Sequence, residues 1–120
     1  MPAVNETLEA RLARSSEIKI TVTGRKSGQA ISLPIWFVWE DGTLYLLPVK
    51  GSDTQWFKNV LQKPSIQIDA DNAKAELRVV PVTESNKVNS VIEKFRAKYG
   101  AGDVKKYYSK LNVAVVAQTR

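Results

Sequence analysis

Residues 23 to 28 read Thr-Gly-Arg-Lys-Ser-Gly, so two cations and a hydroxyl stand between two glycines. Such a turn offers backbone N–H groups, a hydroxyl donor and two positive charges to one small volume, which is the chemistry of phosphate binding. A second stretch, Lys-Gly-Ser-Asp-Thr-Gln-Trp at 50 to 56, sets a cation and a glycine just ahead of a helical pattern. Free N–H groups and the helix dipole favour an anion there as well. The plainer reading of the first stretch is a tight turn in which Gly28 takes a positive φ and Arg25, Lys26 and Ser27 are polar tip residues. On sequence grounds both readings stand.

Two missing residue types limit the chemistry further. The chain has no histidine and no cysteine. That removes Ser-His-Asp and Cys-His nucleophilic pairs, disulfides and ordinary zinc sites, and it leaves neither residue to ligate haem. If the protein is an enzyme, an organic cofactor is expected to carry the reaction, with no metal.

The elements that must position these stretches can be read from periodicity. Leu8 and Leu12 lie in a short amphipathic pattern with Asn5 as its candidate cap. Residues 17 to 23 alternate, with Ile18, Ile20 and Val22 on one face. Residues 29 to 49 read as two strands joined at Asp41-Gly42, a strong hairpin signal. A helix with Trp56, Phe57, Val60 and Leu61 on one face follows, capped by Ser52 or Asp53 and stopped by Pro64. A second hairpin turns at Asp71-Asn72; then Val88, Val91, Ile92, Phe95 and Tyr99 recur at helical spacing up to Gly100. A last strand covers the end. The expectation is one α+β domain over residues 1–120, a small barrel of about six mainly antiparallel strands with about three helices. Within Ile35-Trp36-Phe37-Val38-Trp39, alternation sends Trp36 and Val38 one way and the other three the opposite way. Both faces then need cover, from a core on one side and a helix, a second subunit or a flat ligand on the other. A homodimer is one such cover.

The chain has 120 residues, 43% of them hydrophobic and 25% charged, with a formal net charge of +6. Lys87, Lys94, Arg96, Lys98, Lys105, Lys106 and Lys110 concentrate in one segment, read as a solvated face, since no standard nucleic-acid motif accompanies them. No apolar run is long enough to span a membrane, and the charged N-terminus lacks the apolar centre of a signal peptide. A cytoplasmic protein with small-molecule partners is expected.

The stretch from Thr23 to Pro64 resembles the central motif of the deazaflavin-dependent nitroreductase and quinone reductase family. The shared order is Thr-Gly-Arg-Lys-Ser-Gly, a Pro before an aromatic strand, a second strand, then a Gly-Ser turn leading to Trp, an aromatic, Lys and Asn. The tail, with its tyrosines before a final strand, is similar too, so the likeness runs from about residue 17 to the C-terminus. It implies a split β-barrel related to flavin-binding pyridoxamine-phosphate-oxidase-like proteins. It also implies an 8-hydroxy-5-deazaflavin coenzyme, factor 420, that in its reduced form gives hydride to a quinone, nitroaromatic or similar acceptor. By matching positions, Arg25, Lys26 and Ser27 would hold the coenzyme's phosphate-bearing tail, with Lys50, Gly51 and Ser52 near the tail or ring edge. Pro34 and Trp36 would line the deazaflavin. Trp56 matches the motif's tryptophan, and packing on a helix face explains it equally. Tyr99, Tyr107 and Tyr108 would border the acceptor and donate a hydrogen bond or proton. If the last two are helical they point about 100° apart, so one of them is expected to face the pocket. The chain departs from many relatives in having Ile31 in a segment where they carry a second basic residue. Flavin mononucleotide, or a hydrophobic ligand held without turnover, is therefore the alternative.

Overall fold

The computed structural model describes residues 3–119. Its elements are α1 (Ala3–Arg14), β1 (Ile18–Thr23), β2 (Ala30–Ile35), β3 (Val38–Glu40), β4 (Thr43–Leu46), α2 (Gln55–Gln62), β5 (Ser65–Ala70), β6 (Ala73–Val82), α3 (Ser85–Tyr99), α4 (Ala101–Tyr107) and β7 (Ala114–Gln118). A single 3-10 turn, Gly51–Asp53, precedes α2. The strands form one antiparallel sheet in the order β2-β1-β5-β6-β7-β4-β3. Its corner is β6, whose first part, Ala73–Arg78, pairs with β5 while Val79–Val82 pair with β7. One strand thus serves two half-sheets, and the sheet curls into a split, half-closed barrel.

This is the α+β architecture that the alternation predicts, with one strand and one helix more. The extra strand arises because the aromatic run is interrupted at Trp36 and Phe37, which belong to no strand. The extra helix arises at Gly100, whose φ of 95° ends α3 and lets α4 start at the next residue. Full closure does not occur: β2 and β3 remain the two edges, joined through the chain at residues 36 and 37. Both expected hairpin turns form, with φ of 52° and 79° at Asp41 and Gly42 and of 54° and 72° at Asp71 and Asn72. Two successive left-handed residues are what a two-residue turn between twisted strands requires.

Inside the barrel, Ile18, Ile20 and Val22 meet Leu44, Leu46, Ile66 and Ile68, together with Phe37, Phe57 and Val60. Leu8 and Leu12 bring α1 onto the same core; this helix already runs through Asn5, whose side chain lies outside the described residues. The N-cap of α2 is Thr54 instead of Ser52 or Asp53, which lie in the 3-10 turn. Leu61, expected on its buried face, is 53% exposed. The stripe is centred on Trp56, Asn59 and Val60, and a rotation of about 100° per residue carries Leu61 off its edge. Outside the barrel, Val38 and Leu47 are covered by Val88, Val91, Ile92 and Phe95 of α3 and Val104 of α4. The split within the aromatic run follows the alternation. Ile35, Phe37 and Trp39 face the inner core, and Trp36 and Val38 face the helices of the same chain.

The 3-10 turn is held in place by a close approach. Gly51 is buried with a φ of 55°, and a Cβ there would overlap the Asn112 amide oxygen. Gly51→Ala should therefore lower stability by about 2 kcal/mol, from left-handed strain plus overlap, seen as a reduced urea midpoint. Adding Asn112→Ala should restore part of the loss by removing the closest overlap, though not the strain or the approach of Lys110. An unchanged midpoint in the single variant would show that the turn tolerates a methyl group.

Candidate functional site

A cavity of about 540 Å³ opens between β2, the end of β4, the start of α2 and the end of α4. Leu33, Pro34, Ile35 and Trp36 form one wall, and Leu47, Val49 and Trp56 continue the apolar lining. Polar residues collect toward α2, where Lys50, Asp53, Thr54 and Gln55 reach the surface of the cavity, and Glu17 contributes a carboxylate. The Asp53 carboxylate is engaged by Lys110 at 3.1 Å. A space of this size and character suits a small organic ligand with an apolar body and a polar end.

Tyr107 and Tyr108 both line the cavity, against the expectation of one. The reason is local. The helix α4 ends at Tyr107, and Tyr108 is already extended at φ −108° and ψ 106°, so helical angular spacing does not apply between them. Tyr107 is 51% exposed at the rim, whereas Tyr108 is buried. Burial raises the Tyr108 phenol well above its ordinary pKa. The two pack on Trp36, with ring centroids 5.5 Å away for Tyr107 and 6.1 Å for Tyr108.

Tyr99 is not among the lining residues. Its ring lies flat on Trp36, with centroids 4.2 Å apart and planes 6° from parallel. Its hydroxyl accepts the Phe37 N–H at 3.1 Å and shares its one proton between the carbonyls of Ser16 and Phe37, each 2.8 Å away. Burial pushes its pKa up to about 12. The neighbouring Lys98 donates to the carbonyls of Phe37 and Ser15, with its nitrogen 3.7 Å from the Phe37 ring centre. Although Lys98 as a whole is exposed, its ammonium is partly covered, and that desolvation lowers its pKa to about 8.

The basic turn folds onto the helix that borders the cavity. Gly28 takes a φ of 74°, and Gly24 closes the turn through its N–H to Gln29 and its carbonyl to Gly28. The buried amide of Asn59 accepts both the backbone N–H of Arg25, at 3.1 Å, and its guanidinium, at 2.8 Å. The same guanidinium donates to Gln55 at 2.9 Å, and Gln55 lines the cavity. Two stretches separated by thirty residues therefore meet. All these partners are neutral, and among the described residues neither Arg25 nor Lys26 nor Lys50 forms an ion pair. Lys26 is exposed, and the Ser27 hydroxyl accepts the Gln29 N–H at 3.2 Å.

Of the residues singled out in the sequence, the cavity gathers Pro34, Trp36, Lys50, Trp56, Tyr107 and Tyr108. Arg25, Lys26 and Ser27 stand behind Gln55, and Tyr99 behind Trp36. Gly51 and Ser52 lie beneath the polar end, where Asn112 accepts the Ser52 N–H at 3.0 Å and donates to its hydroxyl at 3.0 Å. Sequence reading did not find Glu17, Gln55, Asn59, Lys98 or Asn112. Asn59 sits inside the quoted motif and was visible there as a polar residue on an apolar face; Asn112 carries no local signal at all.

The fold recurs among solved structures. An F420-H2 dependent reductase (FDR-A) is 18% identical, with a TM-score of 0.66 over 86% of this chain and 94% of that one. HutZ, the haem storage protein from Vibrio cholerae, gives 0.70 at 10% identity over 96% and 89%. A NimC/NimA family protein from Clostridium acetobutylicum gives 0.65 at 16% over 95% and 81%. Identities this low show the shared fold alone. No curated protein matches the sequence. A family model does match, over residues 9–119 or nearly the whole chain, and the protein belongs to that family, described as "Uncharacterized protein conserved in bacteria (DUF2255)".

Proposed function

We propose that the protein is an oxidoreductase that uses the deazaflavin coenzyme factor 420 to reduce a quinone, nitroaromatic or similar acceptor. The observation that carries this reading is an apolar cavity whose polar end leads, through Gln55, to a basic turn with no counter-ion among the described residues. The resemblance of the central motif and the shared fold with a reductase of that cofactor class add support.

The residues fit such a group. Pro34, Trp36 and Trp56 would line a planar ring system, and Lys50 would meet its polar edge. Arg25 and Lys26, with the Ser27 hydroxyl, would hold an anionic tail; Asn59 and Gln55 already orient the guanidinium, so little ordering is left for binding to supply. Gly51 and Ser52, fixed by Asn112, would keep Lys50 and Thr54 at the cavity surface. The reduced coenzyme supplies the hydride. The phenols of Tyr107 and Tyr108 would donate to the acceptor oxygen as it gains negative charge, a role for which Tyr99 has no spare proton.

Side-by-side titration with the deazaflavin coenzyme and flavin mononucleotide, followed by addition of a quinone to the reduced complex, tests the reading. Binding of the deazaflavin and its oxidation by quinone is expected; binding without oxidation, or of flavin mononucleotide alone, would replace the reductase with a binding module. Lys26→Ala should weaken coenzyme binding about tenfold with an unchanged denaturation midpoint, because the residue is exposed and its side chain forms no ion pair among the described residues. Arg25→Ala should weaken binding comparably and also cost about 1 kcal/mol of stability, since it strips one donor from the buried Asn59. Normal affinity in both variants would reduce the turn to a structural one. Tyr108→Phe should slow turnover without changing coenzyme affinity. Because burial raises this phenol's pKa it stays protonated, so it should add no pH limb to the wild-type rate between about pH 6 and about pH 9. A homodimer is also part of the proposal. The edge strand β2 is mostly exposed, with Ile31 at 43%, and pairing or covering would protect it. Light scattering that finds a monomer at micromolar concentration would end that part alone.

A further inference from the structure

The geometry points to Tyr99 and Lys98 as positioning residues that clasp the Phe37 peptide and so fix the Trp36 ring as a rigid wall of the cavity. Trp36 and Phe37 lie between β2 and β3, outside both, so the polar groups of this peptide segment cannot all be satisfied by a ladder. Tyr99 and Lys98 supply the partners: the Phe37 N–H goes to the Tyr99 hydroxyl, and the Phe37 carbonyl receives both Tyr99 and the Lys98 ammonium, the latter at 2.9 Å. The hydroxyl holds the backbone while the ring of the same tyrosine lies against Trp36. One residue thereby fixes both the Phe37 backbone and the indole of the residue before it.

The clasp also reaches a second wall. Through Ser15 and Ser16 the same two side chains hold the segment ahead of β1, and the next residue, Glu17, lines the cavity. Anchoring α3 does not by itself call for this arrangement, because Val88, Val91, Ile92 and Phe95 already bury that helix. Nor is Lys98 drawn there by an acid, since among the described residues it forms no ion pair. Only the nature of the ligand that would press on Trp36 rests on the function proposed above.

The test is made on ligand-free, nitrogen-15-labelled protein as wild type, Tyr99→Phe, Tyr99→Leu and Lys98→Met, with Val91→Ala as a packing control. Tyr99→Phe, which removes the acceptor of the Phe37 N–H, should speed amide exchange at Phe37 by about tenfold or more relative to the control, and Lys98→Met, which removes one of the two donors to the Phe37 carbonyl, by a smaller factor. Tyr99→Leu should in addition turn the Trp36 indole N–H from rigid to mobile in its heteronuclear NOE, while Val91→Ala leaves it rigid. A rigid indole in folded Tyr99→Leu, or Phe37 exchange no faster than in the control, would overturn the inference; should Tyr99→Leu not fold, the exchange rates of the other two decide. In coenzyme titrations, Tyr99→Leu should raise Kd about tenfold through lost preorganisation. If wild type binds neither deazaflavin nor flavin mononucleotide, the proposed function fails, and the indole and exchange data still settle the clasp.

Discussion

Phe37 sets the constraint on which the cavity depends. Its ring is fully buried in the barrel core, and it lies with Trp36 in the break between β2 and β3. A buried aromatic of this size contributes on the order of 2 to 3 kcal/mol, which holds the break in place. An unpaired peptide group beneath it would cost a comparable amount. Partners for that peptide must therefore come from elsewhere, and they come from the end of α3. Everything on the outer side then follows in order: Trp36 is turned outward, Tyr99 lies on it, and Tyr107 and Tyr108 close around the indole.

The other end of the cavity is organised by the same requirement. Asn59 is a polar side chain in the buried stripe of α2, and its carbonyl oxygen needs donors. Arg25 provides two, from backbone and side chain, and the turn is drawn against the helix as a result. A carboxylate in place of Asn59 would have held the turn as firmly but cancelled the charge. With neutral partners the guanidinium is oriented and has no counter-ion among the described residues.

Three other cations are held in ion pairs. Lys94 meets Glu40 and Arg96 meets Glu93, each at 2.5 Å, while Lys110 meets Asp53. Exposed pairs of this kind contribute about 0 to 1 kcal/mol, so they shape the surface more than they stabilise it. Arg25, Lys26 and Lys50 form no such pair among the described residues, and they stand close to the polar end of an otherwise apolar cavity.

Local pattern determined the strands, both hairpin turns, the buried stripe of α3 and the opposite directions of Trp36 and Phe37. Each depends on steric and solvent preferences that act within a few residues, and a period of two or of 3.6 records them directly. The same reading picked out both basic stretches, whereas Pro34, Trp36 and Trp56 were pointed to as lining residues only by the family resemblance, and Leu33, Ile35, Leu47 and Val49 by nothing in the sequence. Tertiary structure alone decided that β6 turns the corner, that the barrel stays open between β2 and β3, and that Gln55 joins the two stretches. It also decided which tyrosines reach the cavity: Tyr108 leaves the helix just where angular spacing would have hidden it, and Tyr99 spends its hydroxyl on a peptide sixty-two residues away. Partners such as Asn59 for Arg25, Asn112 for Ser52 and Lys98 for Phe37 answer unsatisfied backbone and side-chain groups across the chain. Those needs exist only once the sheet has curled, so no short window of sequence contains them.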